Sequence, residues 1–177
     1  ITALKQICNH PYQFIKSGEM GKEMSGKMEK CIDLVQGIID RGEKTLIFTQ
    51  YKEMGDILCK IIAQECNTEP LFFRGSLTVP QREELIEKFQ TDNDSKVMIL
   101  SLKAGGTGLN LTSATNVIHY DLWWNPAVEE QATDRTYRIG QDKNVMVHRM
   151  ITLGTFEEKI DEMLKSKKEL ADLAVYE

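Results

Sequence analysis

Cysteine is scarce and scattered in these 177 residues: Cys8, Cys31, Cys59 and Cys66, with only three histidines beside them. No two cysteines form a C-x-x-C pair, so a zinc site and a disulfide framework are both poorly served. Isolated cysteines inside apolar helical patterns fit buried, reduced thiols of an intracellular protein. No run approaches the ~20 apolar residues that cross a membrane, and no secretory leader is recognisable. Positive charge is not in surplus either. Twenty-two Lys and Arg against 27 Asp and Glu leave a formal charge of −5. That excludes coating of nucleic acid by the whole surface, but leaves room for a local basic track.

A phosphate loop is also missing. Gly21, Gly26 and Lys27 satisfy G-x-x-x-x-G-K, but Met28 stands where Ser or Thr is needed. No strand-like run precedes them, and a phosphate loop requires one. No Asp-Glu-x-His word occurs, nor any internal repeat or low-complexity tract.

What is present is a regular alternation. Pro11 should stop any helix of the first residues near Asn9, and Ser17 to Gly26 is polar and glycine-rich. Met28, Ile32, Val35 and Ile39 are spaced for a helix over residues 27–41, with Gly42 as terminator. Residues 45–48 (TLIF) make a short buried strand ending in Thr49, Gln50 and Tyr51. A helix follows over 53–65, then a strand over 70–73. Thr78 and Gln81 form a capping box for a helix that buries Leu85, Ile86 and Phe89. Further strands are expected at 97–100, 116–120 and 145–151. Thr155 with Glu158 forms a second capping box for the last helix. His119, mid-strand, is read as a core histidine. Strands alternating with helices at this spacing predict an α/β fold, a parallel sheet covered on both faces.

The informative stretch is Leu100 to Gln141, LSLKAGGTGLNLTSATNVIHYDLWWNPAVEEQATDRTYRIGQ. Gly105, Gly106 and Gly108 follow a strand and would let backbone N–H groups approach a phosphate or ribose. A tight turn explains them equally well. Asn125 as N-cap, Pro126 at the first position and Gly140 past the end bracket a helix. On it Gln131, Arg135 and Arg138 fall at i, i+4 and i+7 and share one arc. Two adjacent guanidiniums repel unless an anion lies between them. The ordinary alternative is an exposed helix with ion pairs, since Asp134 and Arg138 are four apart. Trp123 and Trp124 point to opposite faces if the strand reaches them.

These words together resemble the C-terminal motor lobe of Swi/Snf-type ATPases, within the superfamily-two helicases. Gln131, Arg135, Arg138, Gly140 and Gln141 match that family's last motif. Ser101, Ala104 to Gly106, Gly108 to Leu111 and Trp124 to Pro126 match the two before it. The similarity extends to Leu-x-Gln-Ile-Cys-Asn-His-Pro near the start and Gly-Thr-x-Glu-Glu-Lys-Ile near the end, and so covers nearly the whole chain.

The resemblance implies a RecA-like three-layer α/β/α lobe. Residues 1–26 would be the connection from an N-terminal lobe plus a loop. Residues 27–153 would be the lobe itself, and 154–177 a helix packing back toward the other lobe. Absence of an initial Met fits an excised piece of a longer chain. The implied activity is ATP hydrolysis driving translocation on double-stranded DNA, independent of sequence, with the isolated piece inactive. ATP and Mg²⁺ would be held by the N-terminal lobe, with no metal ligand here. Arg135, Arg138 and Gln131 would act on the phosphates. Gly106, Gly108 and Asn110 would line the nucleotide side, and Thr49, Gln50, Lys103, Gly105 and Trp124 would meet DNA. A monomer is expected, in the nucleus of a eukaryote or the cytoplasm and nucleoid of a prokaryote. Alternatives are an RNA helicase lobe, a dinucleotide-binding module using the glycines with Asp121, and an interaction domain without chemistry.

Overall fold

The structure, a computed structural model, describes residues 2–15, 25–101, 109–123, 125–134 and 144–174. Five strands form one parallel sheet: β1 (Thr45–Thr49), β2 (Leu71–Phe73), β3 (Val97–Ser101), β4 (Asn116–His119) and β5 (Met146–Arg149). Their spatial order is β2-β3-β1-β4-β5. In register, Thr45 of β1 lies beside Val97 of β3 and Asn116 of β4. β1, β3 and β4 are buried at every position, as expected of strands covered on both faces.

Alternate residues of those strands feed two cores. On one face Ile47, Ile99 and Ile118 pack against α3 (Gly26–Asp40) and α4 (Lys52–Cys66), through Met28, Val35, Ile38, Leu58 and Ile62. On the other, Leu46, Phe48, Met98, Leu100 and Val117 meet Phe89 of α5 (Val79–Thr91) and Ala132 of α6 (Pro126–Thr133). This is the three-layer, RecA-like arrangement expected from the sequence. A third, smaller cluster joins Leu122 to Ile160 and Leu164 of α7 (Phe156–Ala174). The chain begins with two short helices, α1 (Thr2–Asn9) and α2 (Pro11–Ile15), broken at Pro11 as its ring requires.

Helix ends follow local chemistry. Ser25 caps α3 by accepting from the Met28 N–H at 3.3 Å, and Gly42 stops it at φ +72°. Asn67 ends α4 in the left-handed region at φ 47°. Gln81 returns its side chain to the Thr78 N–H at 2.9 Å at the start of α5. The buried Lys44 donates to the carbonyls of Phe89 and Asp92 at the other end, a cation where helix carbonyls point outward.

Three details differ from expectation. Ile38, not Ile39, is the fully buried residue of the last turn of α3. β5 is four residues rather than seven, because it is an edge strand with Met146 and Val147 exposed. At the last helix Glu158 caps the Gly154 N–H at 2.8 Å, one residue earlier than a capping box on Thr155. Thr155 Oγ1 instead accepts from Glu157.

His119 is a core residue, as expected. It stacks on Phe48 with ring centroids 5.5 Å apart and meets Thr133 Oγ1 through Nε2 at 3.1 Å. The Thr133 hydroxyl donates to the Glu129 carbonyl at 3.1 Å, so Nε2 carries the imidazole proton. Burial, then the charge of Arg149, lower its pKa from 6.5 to about 4. In that window the unfolded chain takes a proton that the fold refuses, so stability falls as pH drops from 6.5 toward 4. Replacing His119 by Phe should remove this component. In urea unfolding, the parent should lose about 2 kcal/mol more than His119→Phe between pH 7 and pH 5.

Candidate functional site

In this strand order the crossover from β1 runs one way and that from β4 the other. A doubly wound sheet takes ligand in the crevice where the crossovers diverge, outside the carboxyl ends of those strands. Here that position holds Thr49 to Tyr51 after β1 and Tyr120 to Leu122 after β4.

Asp121 lies at the bottom of this crevice, 1% exposed. Its carboxylate accepts from the Thr49 hydroxyl at 2.5 Å, the Gln50 N–H at 2.9 Å and the Asn9 amide at 3.2 Å. Burial pushes its pKa up, while Thr49, the Gln50 N–H, Lys27 and Lys5 pull the other way. Gln50 Nε2 also reaches the Leu122 carbonyl at 2.5 Å, and Lys5 Nζ reaches it at 2.8 Å.

The crevice is thus filled from within by the start of the chain. Asn9, the last residue of α1, has a carbonyl that no helix bond can satisfy. It accepts from the Tyr120 hydroxyl at 2.7 Å and the Ser25 hydroxyl at 3.0 Å. Lys27 Nζ approaches Asn9 Oδ1 at 3.4 Å and pairs with Glu157 of α7 at 2.7 Å, both side chains 1% exposed. Glu157 also accepts from the Thr152 N–H at 2.7 Å. Two lysines, Lys5 and Lys27, therefore balance two carboxylates, Asp121 and Glu157, in a shared interior. Lys27, the residue that completes the G-x-x-x-x-G-K word, faces inward to this pair.

The expected site residues divide into four groups. Gln131 on α6 and Asn110 between β3 and β4 are exposed, while their neighbours Ala132 and Leu111 pack in one core cluster. Gln50 is half-buried at the crevice, and Asp121 sets its backbone. Thr49 is fully buried, and its hydroxyl donates to Asp121. Arg135, Arg138, Gly105, Gly106, Gly108, Lys103 and Trp124 lie outside the described residues. α6 begins as expected, with Asn125 Oδ1 accepting from the Ala127 N–H at 3.1 Å. Its described span ends at Thr133, with Asp134 still in the right-handed helical region.

The sequence reading missed the partners of Lys5, Asn9, Lys27 and Glu157. No local apolar pattern marks them: on α1 the buried residues are Lys5 and Asn9, while Leu4 and Ile7 are exposed.

The helicase conserved C-terminal domain family matches residues 26–140. The Sulfolobus solfataricus SWI2/SNF2 ATPase core domain superposes with a TM-score of 0.83 at 48% identity, over 96% of this chain and 34% of that one. The chain belongs to the helicase C-terminal domain family, in its SWI2/SNF2 branch. A second structure of the Sulfolobus core, solved in complex with dsDNA, matches with the same TM-score and identity over 96% of this chain and 35% of that one. Among sequences, YwqA of Bacillus subtilis carries the name ATP-dependent helicase/translocase. It is 53% identical over 171 residues, 96% of this SWI2/SNF2 lobe and 18% of its own length. The human DNA excision repair protein ERCC-6-like is 43% identical over 139 residues, 78% of this chain and 11% of that one. The lobe thus spans less than a fifth of these relatives.

The buried pair makes a direct prediction. Glu157→Ala leaves Lys27 charged in the interior and should destabilise the lobe by about 3–5 kcal/mol, whereas Lys27→Met with Glu157→Met should recover most of that loss. Urea unfolding midpoints of the parent, the single and the double variant check it.

Proposed function

We propose that this lobe is the second half of an ATP-driven motor that tracks double-stranded DNA without reading its sequence. The observation that carries the proposal is likeness over 96% of the chain to a SWI2/SNF2 core solved with dsDNA. On this reading ATP and its Mg²⁺ are held by a first lobe, and this lobe closes on them. Bound ATP supplies the phosphoryl group whose charge must be stabilised as it transfers. Arg135 and Arg138 supply that charge, their planar forks pairing two oxygens at once. Gln131 orients them or the attacking water. Its exposure on α6 beside the buried Ala132 supports a role at the lobe surface. Gly106, Gly108 and Asn110 line the same side.

Lys103, Gly105, Gln50 and Trp124 face the DNA backbone. Gln50 gives one amide hydrogen to Leu122 and keeps another for a phosphate. Thr49 acts one step back by holding Asp121, which fixes the Gln50 N–H. Contacts of amides and lysine to phosphate carry no sequence information, and binding should weaken with salt.

The dinucleotide alternative needs an acidic group free for a ribose hydroxyl. Asp121 is buried and already accepts from three donors, which weighs against it. The RNA-helicase alternative is separated by whether DNA or RNA stimulates hydrolysis.

In a full-length protein carrying both lobes, Arg138→Ala should lower DNA-stimulated ATPase by about 10³-fold or more while ATP still binds. A near-normal rate overturns the assignment. Trp124→Ala should weaken duplex DNA binding in a filter or anisotropy titration. Unchanged affinity removes Trp124 from the interface.

A further inference from the structure

Three elements meet at one guanidinium. Arg149 ends β5, the edge of the sheet. Its Nε lies 2.5 Å from Glu129 Oε1 on α6, and its Nη1 donates to Asp161 Oδ1 on α7. Asp161 also pairs with Lys165 at 2.7 Å. These are not loose surface contacts: the side chains of Glu129 and Asp161 are 13% and 9% exposed, that of Arg149 27%. Burial raises the pKa of Glu129, and the Arg149 charge acts against that rise. Burial acts the same way on Asp161, but Lys165 and Arg149 more than offset it and leave its pKa lowered.

Glu129 is two residues before Gln131, on the helix that leads toward Arg135 and Arg138. The described span of α6, Pro126–Thr133, contributes only Ala132 to the fully buried core. Its inward face is held by polar contacts at two points one turn apart: Glu129 to Arg149, and Thr133 to His119. Gln131 lies roughly 200° around the helix from Glu129, on the exposed side. The angle at which α6 presents its outer face is therefore set by the Glu129 contact more than by apolar packing.

We propose that Arg149 is a positioning residue for α6, the helix that carries Gln131 and precedes Arg135 and Arg138 in the chain. Its pair with Glu129 fixes the rotation of α6, and its bond to Asp161 makes that setting depend on α7. The proposal rests on the reading above, in which Arg135 and Arg138 act on ATP. It goes beyond that reading by naming what aims them and by linking the aim to the last helix. A misplacement of about 1 Å in a catalytic group can cost ~10²-fold in rate while leaving ground-state binding intact.

The test measures DNA-stimulated ATPase in the full-length protein carrying both lobes, at a temperature well below its unfolding midpoint. Glu129→Gln keeps shape and removes charge. It should lower kcat by about 10- to 100-fold, with KM for ATP and the DNA Kd within about twofold. Arg149→Lys keeps charge, but one ammonium cannot span both carboxylates as the guanidinium fork does. It should lower kcat by more than twofold but less than Glu129→Gln does, and it guards against misfolding of the first variant. Glu130→Gln, which breaks only the neighbouring exposed pair with Lys168, should change nothing. A kcat within twofold of the parent in either folded variant overturns the proposal, as does a loss seen only in KM. Arg138→Ala, run alongside, separates the two levels. If it is inactive while Glu129→Gln is normal, the positioning role fails and the motor reading stands. If Arg138→Ala is itself normal, both fall.

Discussion

A carboxylate inside a protein must be matched, and the matching of Asp121 organises one whole edge of this sheet. Its oxygens are held by the polar end of β1, by a main-chain N–H and by the last residue of α1. The charge is not left to one partner. Lys5 and Lys27 enter the same interior, and Glu157 enters with them. Buried ions of this kind are tolerated only when nearly every lone pair and proton finds a partner. The constraint therefore reaches from the second helical turn at the start of the chain to the first turn of α7, and it ties both to the carboxyl ends of β1 and β4.

That tie decides how the lobe can work. The crevice where a doubly wound sheet ordinarily receives a ligand is occupied by the chain's own α1 and its partners. Among the described residues of the expected site, the exposed Gln131 and Asn110 and the half-buried Gln50 remain at a rim that outside molecules can reach. A rim suits a shared site, in which one wall and the nucleotide come from a second body. Such a site is open until the bodies close, and closure is what a motor must couple to hydrolysis. The proposed function and the filled crevice are thus consistent for a physical reason.

Much of the fold was legible because its signals are local. Alternation of short apolar runs with helical spacing located every strand and each of the longer helices. Pro11, Gly42 and the Thr78–Gln81 box marked boundaries through sterics or a bond within three residues. His119 was legible as core because it sits amid a strand buried throughout. The site was legible in its motifs but not in its wiring. Lys27 pairs with Glu157 across 130 positions, and Lys5 with Leu122 across 117. No periodicity or cap carries information over such distances. The partner of Thr49 was hidden for a related reason: a hydroxyl at a strand end faces solvent or a buried acid, and only the fold tells which. The Glu158 cap slipped by one residue because Gly154, at φ +72°, turns its own N–H toward that carboxylate.

Helix α6 shows why the polar wiring matters. With one fully buried residue, the described span of α6 has little apolar area with which to resist rotation. Within that span its register against the sheet rests on polar contacts at Glu129 and Thr133. The two on its inward face are of different kinds. Thr133 meets an imidazole kept neutral by burial. Glu129 meets a guanidinium whose second carboxylate belongs to α7. One fastens α6 to the middle of the sheet, the other to its edge and to the final helix. Because Glu157 and Asp161 sit one turn apart on α7, the same helix that closes the filled crevice also meets Arg149, the partner of Glu129 on α6. A displacement of α7 would therefore be felt at both places at once, at a buried pair that resists it and at a guanidinium that transmits it.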